Sequence, residues 1–422
     1  MNFSHRSKQN SAQRTILPLL TVMLFTHISV NITFPVMTLL FFDAHSRLFS
    51  PDTSYAVRSF FYGIGIGLPH LINIVSVSFL SLFSDHFGRK RLLYISAFGI
   101  FIFSVISTYG ILVGSVITVL VGCMINGIFS RTNAIAQAVV ADVAGTERKI
   151  TYMGYLQLVL AIGACIGPLI GGFSAQNIFF NQINFALPFL ITGLFAWIAF
   201  LLARFYFQET KPKHATHHTL SHLFIEARAL LQKKEVLLIS LMLFCFQLSW
   251  SLYYQYIPPF IKNQFAFGSH SIGLFIALIS VWLSIATLLT IHIFQKNMTL
   301  RRLLFYSAYV SLLGLLLTIC SVVTPLHSMG KFLLWLGAIP VAAGDVIAYI
   351  CITTMYSNAV SVYNQGAVMG ICLFIVSVTW SLTAFLGGLM SAITPSLPLM
   401  VAPVGVLCFL ILWRLQCVQG EV

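Results

Sequence analysis

The sequence predicts an all-helical membrane protein of twelve transmembrane helices in two pseudo-symmetric six-helix bundles, and three observations predict it. Of the 422 residues, 58% are hydrophobic and only 8% charged, whereas soluble domains carry about 25% charged residues. Apolar runs of about twenty residues, enough for a helix to cross a core of about 30 Å, recur along the chain. The 23 Lys and Arg, against 10 Asp and Glu, fall in short clusters between those runs. That is the pattern that orients a membrane protein, not the basic stripe of a nucleic-acid binder. An aromatic content of 14% also excludes disorder.

Hydropathy and punctuation place the spans at about 16–42, 56–83, 91–110, 113–141, 150–173, 185–206, 236–261, 271–295, 302–323, 331–358, 365–392 and 397–416. The first follows a polar, basic stretch. It is too long for the apolar core of a signal peptide and no small-residue cleavage site follows, so it reads as a retained span. With both termini cytoplasmic, 18 basic residues lie inside and four, Arg47, Arg58, Lys262 and Lys331, outside; Arg131 falls within a span. The expected address is a cytoplasmic (inner) membrane if the source is bacterial, with the lipid bilayer as partner and the chain a monomer.

The eight cysteines all lie in apolar runs without metal-ligand spacing, so they read as small hydrophobes and neither a disulfide framework nor a metal site is expected. The loop 207–235 separates a bundle at 1–206 from one at 236–422. Within it Leu220, Leu223, Phe224, Ala227, Leu230 and Leu231 recur at helical spacing, closed by Lys233 and Lys234, as in an interfacial helix. His214, His217, His218 and His222 precede it and read as a solvated linker.

Gly154, Gly171 and Gly172 return as Gly370, Gly387 and Gly388, shifted by 216 residues. Two halves of one ancestry are what a transporter with a site between repeats would show. No P-loop, GxSxG or HExxH motif occurs, so the chain reads as a non-enzyme without cofactor, driven by an ion gradient or by the substrate's own.

Two motifs carry a resemblance. Asp85, Gly88, Arg89, Lys90 and Arg91 form a compact hinge between spans two and three. It resembles the G-x-x-x-D-x-x-G-R-K/R loop of the major facilitator superfamily, with Ser81 replacing the first glycine. In span five Gly154, Gly163, Gly167, Pro168, Gly171 and Gly172 set small residues on a helix face and place a bend at Pro168. This spacing resembles the antiporter signature of the superfamily's drug:proton antiporters. Asp142, Glu147 and Arg148 resemble the loop after span four. One departure stands: where that family carries a span-four arginine, four residues before Gly127, this chain has Cys123, and Arg131 follows two turns later.

The charge census gives a site independently. Among acids only Asp345 lies deep in a span, and among bases only Arg131. A mid-membrane charge costs at least about 2.5–3.5 kcal/mol on insertion scales and normally faces a partner or a wet cavity. The resemblance implies that spans one, four, seven and ten line a central cavity, which Asp345 and Arg131 face from opposite halves. From the paired deep charges the expectation is that Asp345 exchanges a proton while Arg131 biases it or holds an anionic substrate group. A static ion pair fits the same residues. His27, Asn31, Asn133, Gln137, Gln247, Tyr253, Tyr254 and Tyr349 are further polar candidates in cavity-type spans. His27 suits a direct role or a hydrogen-bonded core. Trp250, Tyr253, Tyr254 and Tyr256 suit a stacking surface for flat or cationic compounds or an interfacial belt.

The resulting expectation is a secondary active transporter, exporting a small amphipathic compound (drug, siderophore or metabolite) against protons by alternating access. An uptake symporter or facilitator of the same fold is the alternative, and a non-transporting receptor or scaffold a distant one.

Overall fold

The computed structural model describes residues 2–130, 132–143, 149–177, 182–210, 228–294, 297–324, 326–361 and 364–418, with backbone alone at 2–14, 77–87, 149–150, 177, 182–183, 294 and 416–418. Its helices are α1 (Asn2–Phe42), α2 (Tyr55–Phe87), α3 (Arg89–Val113), α4 (Val116–Phe129), α5 (Thr132–Val143), α6 (Lys149–Ala175), α7 (Ala186–Phe205), α8 (Lys234–Phe265), α9 (Ser269–Leu289), α10 (Leu300–Val323), α11 (His327–Asn358), α12 (Gln365–Ile393) and α13 (Leu397–Val418). They supply twelve segments long and apolar enough to cross a membrane. Among the described residues the fold is all-helical apart from a two-stranded ribbon, Gln176–Asn177 paired antiparallel with Gln182–Ile183.

The first membrane-length segment, Thr15–Phe42, agrees with the expected span, although the backbone of α1 is helical from Asn2. Within the fourth membrane-length segment, Val116–Val143, α4 ends at Phe129 and α5 begins at Thr132. The eighth ends in a π-helical turn, Thr290–Phe294. The linker helix and its histidines fall largely in 211–227, outside the described residues; 228–231 is helical.

Local chemistry sets several ends. Ser115 caps α4 by accepting from the Thr118 N–H at 3.3 Å, and Thr299 caps α10 by accepting from the Arg302 N–H at 3.4 Å. Gly114 closes α3 at φ 76°, a left-handed conformation that suits glycine.

The chain divides into two compact units. One is Met1–Pro51 with Leu71–Thr219, the other Asp52–His70 with Leu220–Val422. The core of the first is built where α1, α3, α5, α6 and α7 meet: Leu19 and Met23 pack with Leu93, Val139, Leu156 and Ala203. The start of α2 belongs to the second unit because small residues admit it. Gly63 lies against Ala384 and Gly388 of α12, and the Tyr55 hydroxyl is 3.3 Å from that of Ser391.

Candidate functional site

In the first unit the span-five glycines form the face that α1 rests on. A Cβ at Gly163 would stand 2.6 Å from His27 Cβ, and one at Gly167 2.6 Å from Asn31 Cβ and 2.9 Å from the Ile28 carbonyl oxygen. Gly171 meets the Ile32 carbonyl in the same way. Gly172 and Pro168 are buried beside them and α6 runs through the proline. Gly154 differs: it is exposed and a Cβ there would meet nothing within 4 Å, so close packing does not account for it.

This face sets two candidate polar residues. His27 Nε2 lies 2.8 Å from the side-chain amide of Asn133 on α5, a hydrogen bond that joins the two helices. Asn31 turns its amide back to its own helix, donating to the His27 carbonyl oxygen at 2.8 Å. Gln137 is exposed. Arg131 lies outside the described residues. Cys123, at the family's arginine position, is a buried free thiol of α4.

The hinge is built around Gly88. Its φ of 95° and ψ of 155° are open to glycine almost alone, and a Cβ there would stand 2.8 Å from the Glu209 carboxyl carbon. Glu209 Oε1 accepts from the Arg89 N–H at 2.8 Å and Oε2 from the Lys90 N–H at 3.2 Å. A carboxylate at the first free N–H groups of α3 suits the helix dipole. The Arg89 side chain is meanwhile paired with Asp142, Nε to Oδ2 at 3.2 Å. Asp85 lies in the last turn of α2, and its side chain lies outside those described. Arg91 is exposed on α3. Composition alone left Glu209 as an ordinary loop acid; its partners are 119 and 120 residues away.

In the second unit Asp345 sits in the middle of α11, 6% exposed. Its side-chain partner among the described residues is neutral: Gln247 Nε2 of α8 donates to Oδ1 at 3.4 Å. Gln247 Oε1 accepts from the indole Nε1–H of Trp380, on α12, at 3.0 Å. The indole packs on Tyr254, with ring centroids 5.9 Å apart, and on His70, at 5.1 Å. Tyr254 in turn stacks on Trp250 at 5.2 Å.

Gln247, Ser251 and Gln255 recur at one-turn spacing along α8 and meet α12. Thr383 Oγ1 donates to Ser251 Oγ at 2.9 Å, and Gln255 Nε2 donates to the Trp380 carbonyl oxygen at 3.1 Å. Tyr253 and Tyr256 are fully buried, which an interfacial belt is not; Tyr256 packs under Gly387 and Tyr62. Tyr349 lies one turn beyond Asp345, with the Cys372 thiol 3.9 Å from its hydroxyl. Trp380 and the depth of His70 in this cluster were not foreseen. The signal available was the run of hydroxyl residues around Trp380: Ser377, Thr379, Ser381 and Thr383.

Twelve membrane-length helices, an ion-paired hinge and a buried carboxylate deep in a span define an integral multi-pass membrane protein built for transport. The Major Facilitator Superfamily family model matches residues 19–384, and the chain belongs to that family of transporters. It is 25% identical over 366 residues to the class D tetracycline resistance protein of Salmonella ordonez, covering 85% of each chain. To the class B tetracycline resistance protein of Escherichia coli it is 28% identical over 150 residues, 36% of this chain and 35% of that one, so it spans about a third of that relative's length. A crystal structure of a D-xylose-proton symporter superposes with a TM-score of 0.76 at 16% identity, covering 94% of this chain and 96% of the other. That likeness carries the fold alone.

Proposed function

We propose that this transporter is a proton-coupled efflux carrier, an antiporter, for a small amphipathic compound, working by alternating access from a cytoplasmic membrane with both termini inside. The observation that carries the reading is Asp345: a carboxyl buried at mid-span whose described partner is an amide and not a cation. An isolated ionised carboxylate in such a place is strongly disfavoured, so the group is suited to take up a proton and to release it when its surroundings change. The similarity to the class D tetracycline resistance protein over 85% of the chain, and to other classes over shorter stretches, supports a drug-like cargo. The span-five glycine face, closed on α1, supports the antiporter direction through its resemblance to the antiporter signature. Arg131 is proposed as the charge that biases Asp345 or holds an anionic substrate group, and the hinge at Gly88–Arg91, clamped by Glu209, as the cytoplasmic gate control. His27 and Asn133 act as a polar brace between spans one and four.

The test is flux in proteoliposomes with an imposed pH gradient and a substrate panel that begins with tetracycline. The expected result is substrate-triggered proton movement opposite to the substrate, absent in Asp345→Asn although that variant remains folded and inserted. Uphill transport unchanged in Asp345→Asn refutes the assignment. Cys123, buried and uncharged where the family has arginine, favours a second reading, uptake symport; protons moving with the substrate would establish it instead.

A further inference from the structure

Asp345, Gln247 and Trp380 join three helices, α11, α8 and α12. An indole Nε1–H donates and never accepts. The Gln247 atom 3.0 Å from it is therefore the carbonyl oxygen, and the amide necessarily turns its NH2 toward Asp345 Oδ1, 3.4 Å away. The two contacts are unequal. An N–H donating to an ionised carboxylate settles at about 2.7–2.9 Å, shorter and stronger than a neutral pair. The 3.4 Å contact therefore holds roughly half an ångström of slack that ionisation would take up.

The amide is one rigid plane, so drawing Nε2 toward Asp345 draws Oε1 away from the indole. The Trp380 backbone does not follow, since its carbonyl oxygen is held by Gln255 at 3.1 Å. The ring follows only by turning about its own side-chain bonds, and in doing so repacks on Tyr254 and His70, 5.9 and 5.1 Å away.

We propose that Gln247 is a positioning residue that converts the charge on Asp345 into the orientation of Trp380, and thereby reshapes the aromatic surface of His70, Trp380 and Tyr254 that a flat compound would stack on. This rests on Asp345 being the proton-exchanging carboxyl proposed above. Other charged and histidine side chains of the helices packed on α11 sit at helix ends: Lys234, Glu235 and Lys262 of α8, His270 of α9, Arg301 and Arg302 of α10. α12 has none. On α11 itself His327 and Lys331 lie near the start, about four turns or more from Asp345. Facing Trp380 from α2 is His70, 5.1 Å from its ring, an imidazole whose ordinary range is near neutrality; an emission change that it drives would persist in Asp345→Asn. The remaining titratable groups on these faces are tyrosines and cysteines, Tyr349 and Cys372 among them, whose ordinary ranges lie above neutrality.

The experiment uses the full chain in lipid nanodiscs without substrate and follows two signals against pH. One is the infrared band of the protonated Asp345 carboxyl, assigned by its loss in Asp345→Asn. The other is the Trp380 emission, assigned by difference from Trp380→Phe, which keeps a ring and lacks the N–H donor. The expected result is that both change over the same pH interval. Gln247→Met, of similar shape but without the amide, keeps the carboxyl titration and loses most of the emission change. Asp345→Asn, a permanently neutral mimic, fixes the emission at its acid-side value throughout. A titrating band with a flat emission in the native chain overturns the relay and leaves the proton site standing. A band that never changes overturns the proton assignment and the relay with it. An emission response surviving intact in Gln247→Met or Asp345→Asn shows that Trp380 answers to some other group.

Discussion

Replacing Gly167 by alanine tests whether the span-five glycines act by close packing. The added Cβ would stand 2.6 Å from Asn31 Cβ and 2.9 Å from the Ile28 carbonyl oxygen, short of a comfortable carbon–carbon separation of at least about 3.5 Å by roughly 0.9 Å. Neither neighbour yields easily. One is backbone, and the other belongs to a side chain anchored at 2.8 Å to the His27 carbonyl. Overpacking of this kind costs about 1–3 kcal/mol, and alanine's better helix propensity offsets about 0.5–1 kcal/mol. A net loss of about 1–2 kcal/mol is expected. Gly154→Ala supplies the control on the same helix: nothing lies within 4 Å of its Cβ position, so only the propensity gain of about 0.5–1 kcal/mol applies. The two variants should differ by about 2 kcal/mol, or roughly 4–8 °C in Tm for units of this size. The assay is thermal unfolding of the purified protein, read by dye labelling of the buried thiols Cys123, Cys351 and Cys372. Equal Tm values for Gly154→Ala and Gly167→Ala would refute the packing argument, and with it the account of how α1 is seated.

Two further outcomes follow from the same reasoning. Gly88→Ala forces a side chain into a conformation that costs about 1–3 kcal/mol and against the Glu209 carboxyl, so it should lower Tm and transport rate more than Glu209→Gln. The latter loses only about 0.3–1 kcal/mol of dipole stabilisation at an exposed site; paired Tm and flux measurements rank the two. In the second half, Gly388→Ala meets the Gly63 Cα and the Ser59 carbonyl oxygen, each 3.0 Å from the new Cβ, whereas Gly370→Ala meets nothing within 4 Å. A Tm loss is expected in the first variant and none in the second.

The spans were legible because a bilayer demands run length, and run length is a one-dimensional property of sequence. The glycine face was legible for a similar reason. Gly163, Gly167 and Gly171 are spaced by four and necessarily share a side of α6, and all three meet α1. Gly154 is nine residues before Gly163, about two and a half turns, and so belongs to the opposite side. Spacing already contained that correction. Partners in space were another matter. Asp345 could be singled out as a deep carboxyl, but Gln247 is 98 residues from it and Trp380 a further 133 from Gln247. Nothing local distinguishes those two from the many amides and rings of neighbouring spans. Glu209 escaped notice because a loop acid gains its meaning only from the helix start it clamps.

The internal repeat explains why the chemistry gathers in one unit. The same shift of 216 residues that relates Gly171 to Gly387 relates Asn31 to Gln247, Gly163 to Thr379 and Gly167 to Thr383. In the first unit the amide at this place is one methylene shorter, bonds to its own helix and rests on glycine. In the second, the longer Gln247 reaches Trp380 and Asp345, and Thr383, in place of the glycine, bonds to Ser251 at 2.9 Å. A glycine contact has no side chain to rotate, so α1 and α6 can part or close only by moving backbone against close-packed backbone. Side-chain hydrogen bonds between membrane helices average only about 0.6 kcal/mol each, so those joining α8 to α12 can be exchanged singly at little cost. One copy of the repeat thus forms a rigid seam and the other a rearrangeable one, and the exchange of charge proposed for Asp345 would fall beside the second.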